Sequence, residues 1–144
     1  MNPCVYPLLG LLLCGATLGL AQDERPFQID GNFGGTAGID EMLLQSSERY
    51  YSASAPTEDF YVIDLLPALP SARPSGSIHG LKARGGFKVD IDWKDGALLS
   101  AVVHSVAGSQ TRVRYGLATK EIHLQPGQSV RVMAVHGGIE VGPV

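Results

Sequence analysis

Phe87-Lys88-Val89-Asp90-Ile91-Asp92-Trp93-Lys94-Asp95-Gly96 decides the fold. Phe87, Val89, Ile91 and Trp93 alternate with Lys88, Asp90 and Asp92. Side chains along a strand point to opposite faces in turn, so this pattern predicts a strand with one buried face. Asp95-Gly96 follows at once and is the strongest short hairpin signal, because both residues tolerate the positive φ of a tight two-residue turn. Leu98 to Val106 then returns as the partner strand. On these grounds Asp90 and Asp92 form the solvated face of the strand.

The pattern continues on the C-terminal side. Thr111 to Tyr115, Lys120 to Leu124 and Val130 to Val135 read as three more strands, with Gly108, Gly116 and Pro126-Gly127 at the turns between them. Short, regularly punctuated strands of this kind predict a small antiparallel β-sandwich-like domain. The four histidines, His79, His104, His123 and His136, are scattered through it without metal-ligand spacing and read as surface or edge residues.

On the N-terminal side, Phe60 to Leu66 is a compact β-type run. Pro67, Pro70 and Pro74 interrupt regular structure after it, and Ser75-Gly76-Ser77 continues the turn chemistry. Glu48 to Asp59, rich in Ser, Ala, Tyr, Pro and acids, reads as a connecting loop. The chain holds no internal repeat and no low-complexity stretch.

Pro26-Phe27-Gln28-Ile29-Asp30-Gly31-Asn32-Phe33-Gly34-Gly35-Thr36-Ala37-Gly38-Ile39 stands apart. It reads as a glycine-rich loop opening into a helix, with Thr36 as N-cap, Asp40 and Glu41 in the first turns, and Ile39, Met42 and Leu43 as an apolar stripe. A helix from Ala37 to Gln45 is too short to hold itself in water and needs a partner surface. Asp30 is the strongest catalytic candidate, since a carboxylate set among glycines and aromatics can be desolvated and tuned. The alternative is a tight turn in which Asp30 and Asn32 bond their own backbone.

Val5 to Ala21 is mostly apolar, no charged side chain precedes Asp23, and Gly19-Leu20-Ala21 suits signal-peptidase cleavage before Gln22. This predicts a secretory signal peptide over 1–21 and a secreted or periplasmic product, although the n-region carries no Lys or Arg. Cys4 and Cys14 both lie in this leader, so they build neither a disulfide framework nor a zinc site. The formal net charge of -3 argues against a nucleic-acid partner or an anionic membrane surface. Hydrophobic residues at 44% with charged residues at 17% mark a globular chain. No nucleophile elbow, phosphate loop or metalloprotease signature occurs.

The block Pro26 to Ile39, followed by Glu41-Met42-Leu43-Leu44-Gln45-Ser46, resembles the late catalytic-domain motif of glycoside hydrolase family 95, the α-L-fucosidases. A second block resembles the family in the same order: Leu65-Leu66-Pro67-Ala68-Leu69-Pro70, Pro74-Ser75-Gly76-Ser77, Gly80 to Phe87, Val89-Asp90 and Trp93. After the leader read over 1–21, the resemblance implies two segments: 22–66 as the end of an (α/α) toroid catalytic domain, and 67–144 as the C-terminal β domain. It implies a mainly β fold preceded by a signal helix and one helix left from the toroid.

By the same resemblance the activity is inverting hydrolysis of terminal α-linked fucose. A Glu is the general acid, and an Asp works with Asn side chains to activate water. Asp30 matches that Asp, and Asn32 and Phe33 stand as substrate-binding positions beside it. The Glu and the water-positioning Asn residues match nothing here, so the chain alone is expected to be inactive. No cofactor and no metal is implied, and the partner is a fucosylated glycan. Glu24-Arg25 stand where the family usually has His-Pro, and Arg73 where it commonly has Trp. The competing expectation is a secreted, non-catalytic β module that binds carbohydrate or protein.

Overall fold

A computed structural model describes residues 29–52, 55–136 and 138–144. The leader and Pro26 to Gln28 lie outside the described residues. One helix, α1 (Ile29–Leu43), precedes ten strands: β1 (Leu44–Gln45), β2 (Arg49–Ser52), β3 (Ala55–Leu65), β4 (Gly76–Ala83), β5 (Phe87–Lys94), β6 (Ala97–Ser105), β7 (Gln110–Tyr115), β8 (Ala118–His123), β9 (Ser129–Val135) and β10 (Gly138–Pro143).

The strands form two sheets. One runs β1-β3-β7-β8 with β2 also on β3, and the other runs β10-β9-β6-β5-β4. The expected alternation holds in β5, where Phe87, Val89, Ile91 and Trp93 are buried and the residues between them are not. Asp95 and Gly96 take φ of 54° and 78°, as the two-residue hairpin requires. Ile63, Leu65, Val113 and Ile122 from the first sheet join Val89, Ile91, Val103 and Val132 from the second in one core. Burying apolar surface from both inner faces is what holds two such sheets together.

Three expectations need correction. The stretch read as a loop opening into a helix is itself helical from Ile29, and Thr36 is not its cap: the Thr36 hydroxyl donates to the Asn32 carbonyl one turn back at 3.0 Å. The stretch Glu48 to Asp59 is not only a connection, because it holds β2 and the start of β3. Tyr50 pairs with Phe60 across them, ring centroids 5.8 Å apart, and this aromatic pair outweighs the local Ser and Pro content.

Ser75-Gly76-Ser77 does not continue the turn, since β4 begins at Gly76 and pairs with β5. The pairs among β4 to β10 are antiparallel as expected, while β3, which precedes them, runs parallel to β7, with Val62, Ile63 and Asp64 beside Arg112, Val113 and Arg114. β10 pairs along all of β9's C-terminal part, although its own sequence carries little alternation.

The segment between β3 and β4 ties α1 to the strands. Helix ends leave carbonyls without intrahelical partners. Here Leu66 N–H donates to Leu43 O at 2.8 Å and Ala68 N–H to Met42 O at 3.1 Å. The Trp93 indole N–H donates to Arg73 O at 3.1 Å, which pins the proline-rich segment to β5.

Candidate functional site

Asp30, Asn32 and Phe33 all lie on α1 and are exposed, Phe33 at 71%. Helical geometry turns about 100° per residue, so Asp30 and Phe33 are neighbours on one side. Asn32 falls nearly opposite Asp30. The helix therefore brings Phe33 to Asp30 and carries Asn32 away from it. No apolar enclosure surrounds Asp30 among the described residues, and a Cβ built on Gly34, Gly35 or Gly38 would meet nothing within 4 Å. The glycines leave this face of the helix open to close approach by other groups.

Asp40 and Glu41 are the other acids of α1, ten and eleven residues beyond Asp30. At 1.5 Å per residue that is a rise of about 15 Å. The carboxyl pair of an inverting glycosidase stands at roughly 6.5–9.5 Å. Neither acid can pair with Asp30 in this way.

The C-terminal end of α1 closes over an apolar recess of about 280 Å³. Ile39, Met42, Leu69, Pro70, Ile78 and Trp93 line it, with Arg73 at its edge. The recess lies at the far end of the helix from Asp30, so it forms no part of a site built on that carboxylate.

A second polar grouping was not legible as a unit in the sequence. Asp90 on β5 is not simply solvated, and His104 on β6 is not an ordinary surface residue. His104 Nε2 is 3.0 Å from Asp90 Oδ2, and His104 Nδ1 is 2.7 Å from Ser129 Oγ on β9. Gly80 N–H donates to Asp90 Oδ1 at 2.7 Å. That contact depends on a bulge: His79 and Gly80 together oppose Asp90, because Ile78 pairs with Ile91 and Leu81 with Val89. Gly80 has φ of 82°, a conformation that suits glycine.

Burial pushes the Asp90 carboxyl up, but the Gly80 N–H, the His104 hydrogen bond and the nearby His104 and His79 imidazoles outweigh it, and its pKa lies below the usual carboxylate value. An ionised Asp90 accepts from His104 Nε2–H, which leaves Nδ1 to accept from the Ser129 hydroxyl. Asp92 stays on the same face and accepts from the Ser100 hydroxyl at 3.2 Å. Among the described residues no group of three or more His, Cys, Asp or Glu could hold a metal ion, and no helix is long and apolar enough to cross a membrane.

Residues 59–140 match the family model of the glycoside hydrolase family 95 C-terminal domain, and residues 11–43 match that of the glycosyl hydrolase family 95 catalytic domain. The second match contains Asp30, Asn32 and Phe33, and it begins inside the stretch read as a leader. Alpha-L-fucosidase 2 of Arabidopsis thaliana is 41% identical over 104 residues, 72% of this chain and 11% of that protein. The probable alpha-fucosidase A of Aspergillus niger is 40% identical over 76 residues, 53% of this chain and 10% of that protein. Its namesake from Aspergillus oryzae is 32% identical over 87 residues, 60% and 12%. The chain spans about a tenth of the length of the curated relatives it matches. With a C-terminal-domain match over more than half of its residues and two facing sheets across one core, the chain belongs to glycoside hydrolase family 95.

Proposed function

We propose that this chain is the C-terminal part of an inverting α-L-fucosidase system that acts on terminal α-linked fucose of glycans outside the cytoplasm. In this reading Asp30 helps to activate the attacking water, with Asn32 and Phe33 as sugar-contacting positions. The observation that carries it is the Pro26 to Ile39 motif within the catalytic-domain match. The exposed Asp30 and Phe33 on one side of α1 support it, since a sugar held by other helices could approach that side. Among the described residues α1 offers no second acid at inverting distance from Asp30, and in this reading the general acid is supplied by further catalytic-domain helices. Expressed by itself, this chain is then inactive on fucosides.

The test has two arms. The first assays the purified 144-residue chain on fucosylated oligosaccharides, where turnover abolished by Asp30→Asn would overturn the claim of inactivity. The second joins residues 22–144 to the upstream helical region of an active relative and compares Asp30 with Asp30→Asn. General base catalysis is worth about 10²–10⁴-fold. A fall of that size in turnover per folded molecule, with a much smaller change in substrate binding, is the expected result. Normal turnover per folded molecule would remove Asp30 from the mechanism.

A further inference from the structure

The outer face of the second sheet carries a chain of side chains that the fucosidase reading does not use. β5, β6 and β9 lie side by side, with β6 in the middle. His104 stands directly across from Ser129, and Asp90 sits one step along on the other neighbour. Ser129 Oγ, His104 Nδ1, His104 Nε2 and Asp90 Oδ2 follow in line at 2.7 and 3.0 Å. The backbone N–H of Gly80 holds the second Asp90 oxygen at 2.7 Å, so the carboxylate is fixed at both ends. This is the order a hydroxyl nucleophile needs: a base within hydrogen-bond reach, and a third group that sets the tautomer and aim of that base.

Access and charge fit as well. The His104 and Asp90 side chains are 34% and 27% exposed, and Ser129 is half-buried, so an incoming group can reach Oγ. Two cations flank the line. Arg131 is exposed on the same face of β9 two residues from Ser129, and Lys88 is the cross-strand partner of His104 on β5. Positive charge beside a nucleophile stabilises an oxyanion that develops there.

The geometry points to a second hydrolytic site on this face, with Ser129 as nucleophile, His104 as base and Asp90 as the residue that positions it, acting on carboxylic esters. An open sheet surface suits acyl esters carried on an extended chain. Ser129 Oγ bonds to the acyl carbon while its proton passes to His104 Nδ1. The ester C–O bond breaks, and the leaving alkoxide takes that proton. Water then gives a proton to Nδ1 and adds to the acyl carbon. The carboxylic acid leaves as Ser129 Oγ regains the proton.

The full chain would be treated with a fluorophosphonate and the adduct located by peptide mass mapping, and its hydrolysis of p-nitrophenyl acetate would be followed. Phosphonylation at Ser129 is expected. Hydrolysis by Ser129→Ala and His104→Gln, corrected for folded fraction from thermal melts, should fall about 10²-fold or more. Labelling of wild-type protein needs no variant, so a misfolded variant cannot obscure the outcome. No adduct at Ser129, or a Ser129→Ala protein that turns over as wild type does, would overturn the site and leave the three residues as a tie between strands. Neither result bears on Asp30.

Discussion

Arg114 grips Asp64 with two nitrogens, Nε at 2.9 Å and Nη2 at 2.7 Å, both on the same carboxylate oxygen. The two residues are register partners on the parallel strands β7 and β3. The third nitrogen, Nη1, reaches Glu48 at 2.7 Å in the segment between α1 and β2. The hydrogen bonds it donates to Asp64, then to Glu48, hold the guanidinium pKa above its ordinary value. One side chain thus joins three parts of the chain that are far apart in sequence.

The two acids differ in exposure, at 14% for the Asp64 side chain and 56% for Glu48. Arg114→Ala leaves a nearly buried carboxylate without its partner and should cost about 2–3 kcal/mol in urea unfolding. Glu48→Ala removes a solvent-screened pair and should cost about 1 kcal/mol or less. Equal losses from the two variants would contradict this ranking.

Gly76 opens β4 against the ring of Trp93. A Cβ there would lie 2.6 Å from Trp93 Cζ2. Trp93 is buried in the core and its indole is already committed to Arg73 O. Gly76→Ala should therefore overpack the site and destabilise the protein by about 1–3 kcal/mol. Gly96→Ala serves as a comparison, because open space surrounds that position and its cost comes from its φ of 78° alone. A Gly76→Ala protein with an unchanged thermal midpoint would show that the ring can move.

Asp90 gives the protein a dependence on acid. Its folded pKa lies below its unfolded value, so the stability it contributes is present above the unfolded value near 3.8 and is lost as pH falls through the folded one. Asp90→Asn should be less stable than wild type at pH 6, and the gap should narrow as pH falls below the unfolded value near 3.8 and on through the lower folded one. Chemical unfolding at a series of pH values measures it. A gap that stays constant from pH 6 down to pH 2.5 would contradict this account of Asp90.

Local stability should differ sharply between the helix and the strands. α1 contains Gly31, Gly34, Gly35 and Gly38, each costing about 0.5–1 kcal/mol in a helix interior. Residues 30–39 are exposed, and among the helix's described side chains only Leu43 at its end is buried. Amides of α1 should exchange with solvent much faster than those of β5 and β6, which carry Val89, Ile91, Ala101 and Val103 at the centre of the core. Slow exchange in the helix with fast exchange in these strands would overturn the assignment of the core.

Alternation in Phe87 to Trp93 and the Asp95-Gly96 turn were enough to identify β5, β6 and the buried face between them. Those are local properties: a period of two and a dipeptide that accepts positive φ. The family motif around Asp30 was legible for the same reason, as a run of contiguous residues. The helical state of Ile29 to Thr36 was not, because three glycines there oppose a helix locally and nothing in their order shows what holds it.

The candidate site on the outer face was hidden for a different reason. His104 and Ser129 are twenty-five residues apart. They meet only because β6 pairs with β9 in one register, and a slip by one residue would send one of them to the core. Parallel pairing of β3 with β7 likewise joins Asp64 to Arg114 across fifty residues. The sequence by itself determined strand positions, turn chemistry and the family motif, since each depends on neighbours along the chain. Only the tertiary structure decided the partners of Asp90, Asp64 and Gly76, since burial of both sheets' apolar faces sets the register, and register sets which polar groups come within hydrogen-bonding distance.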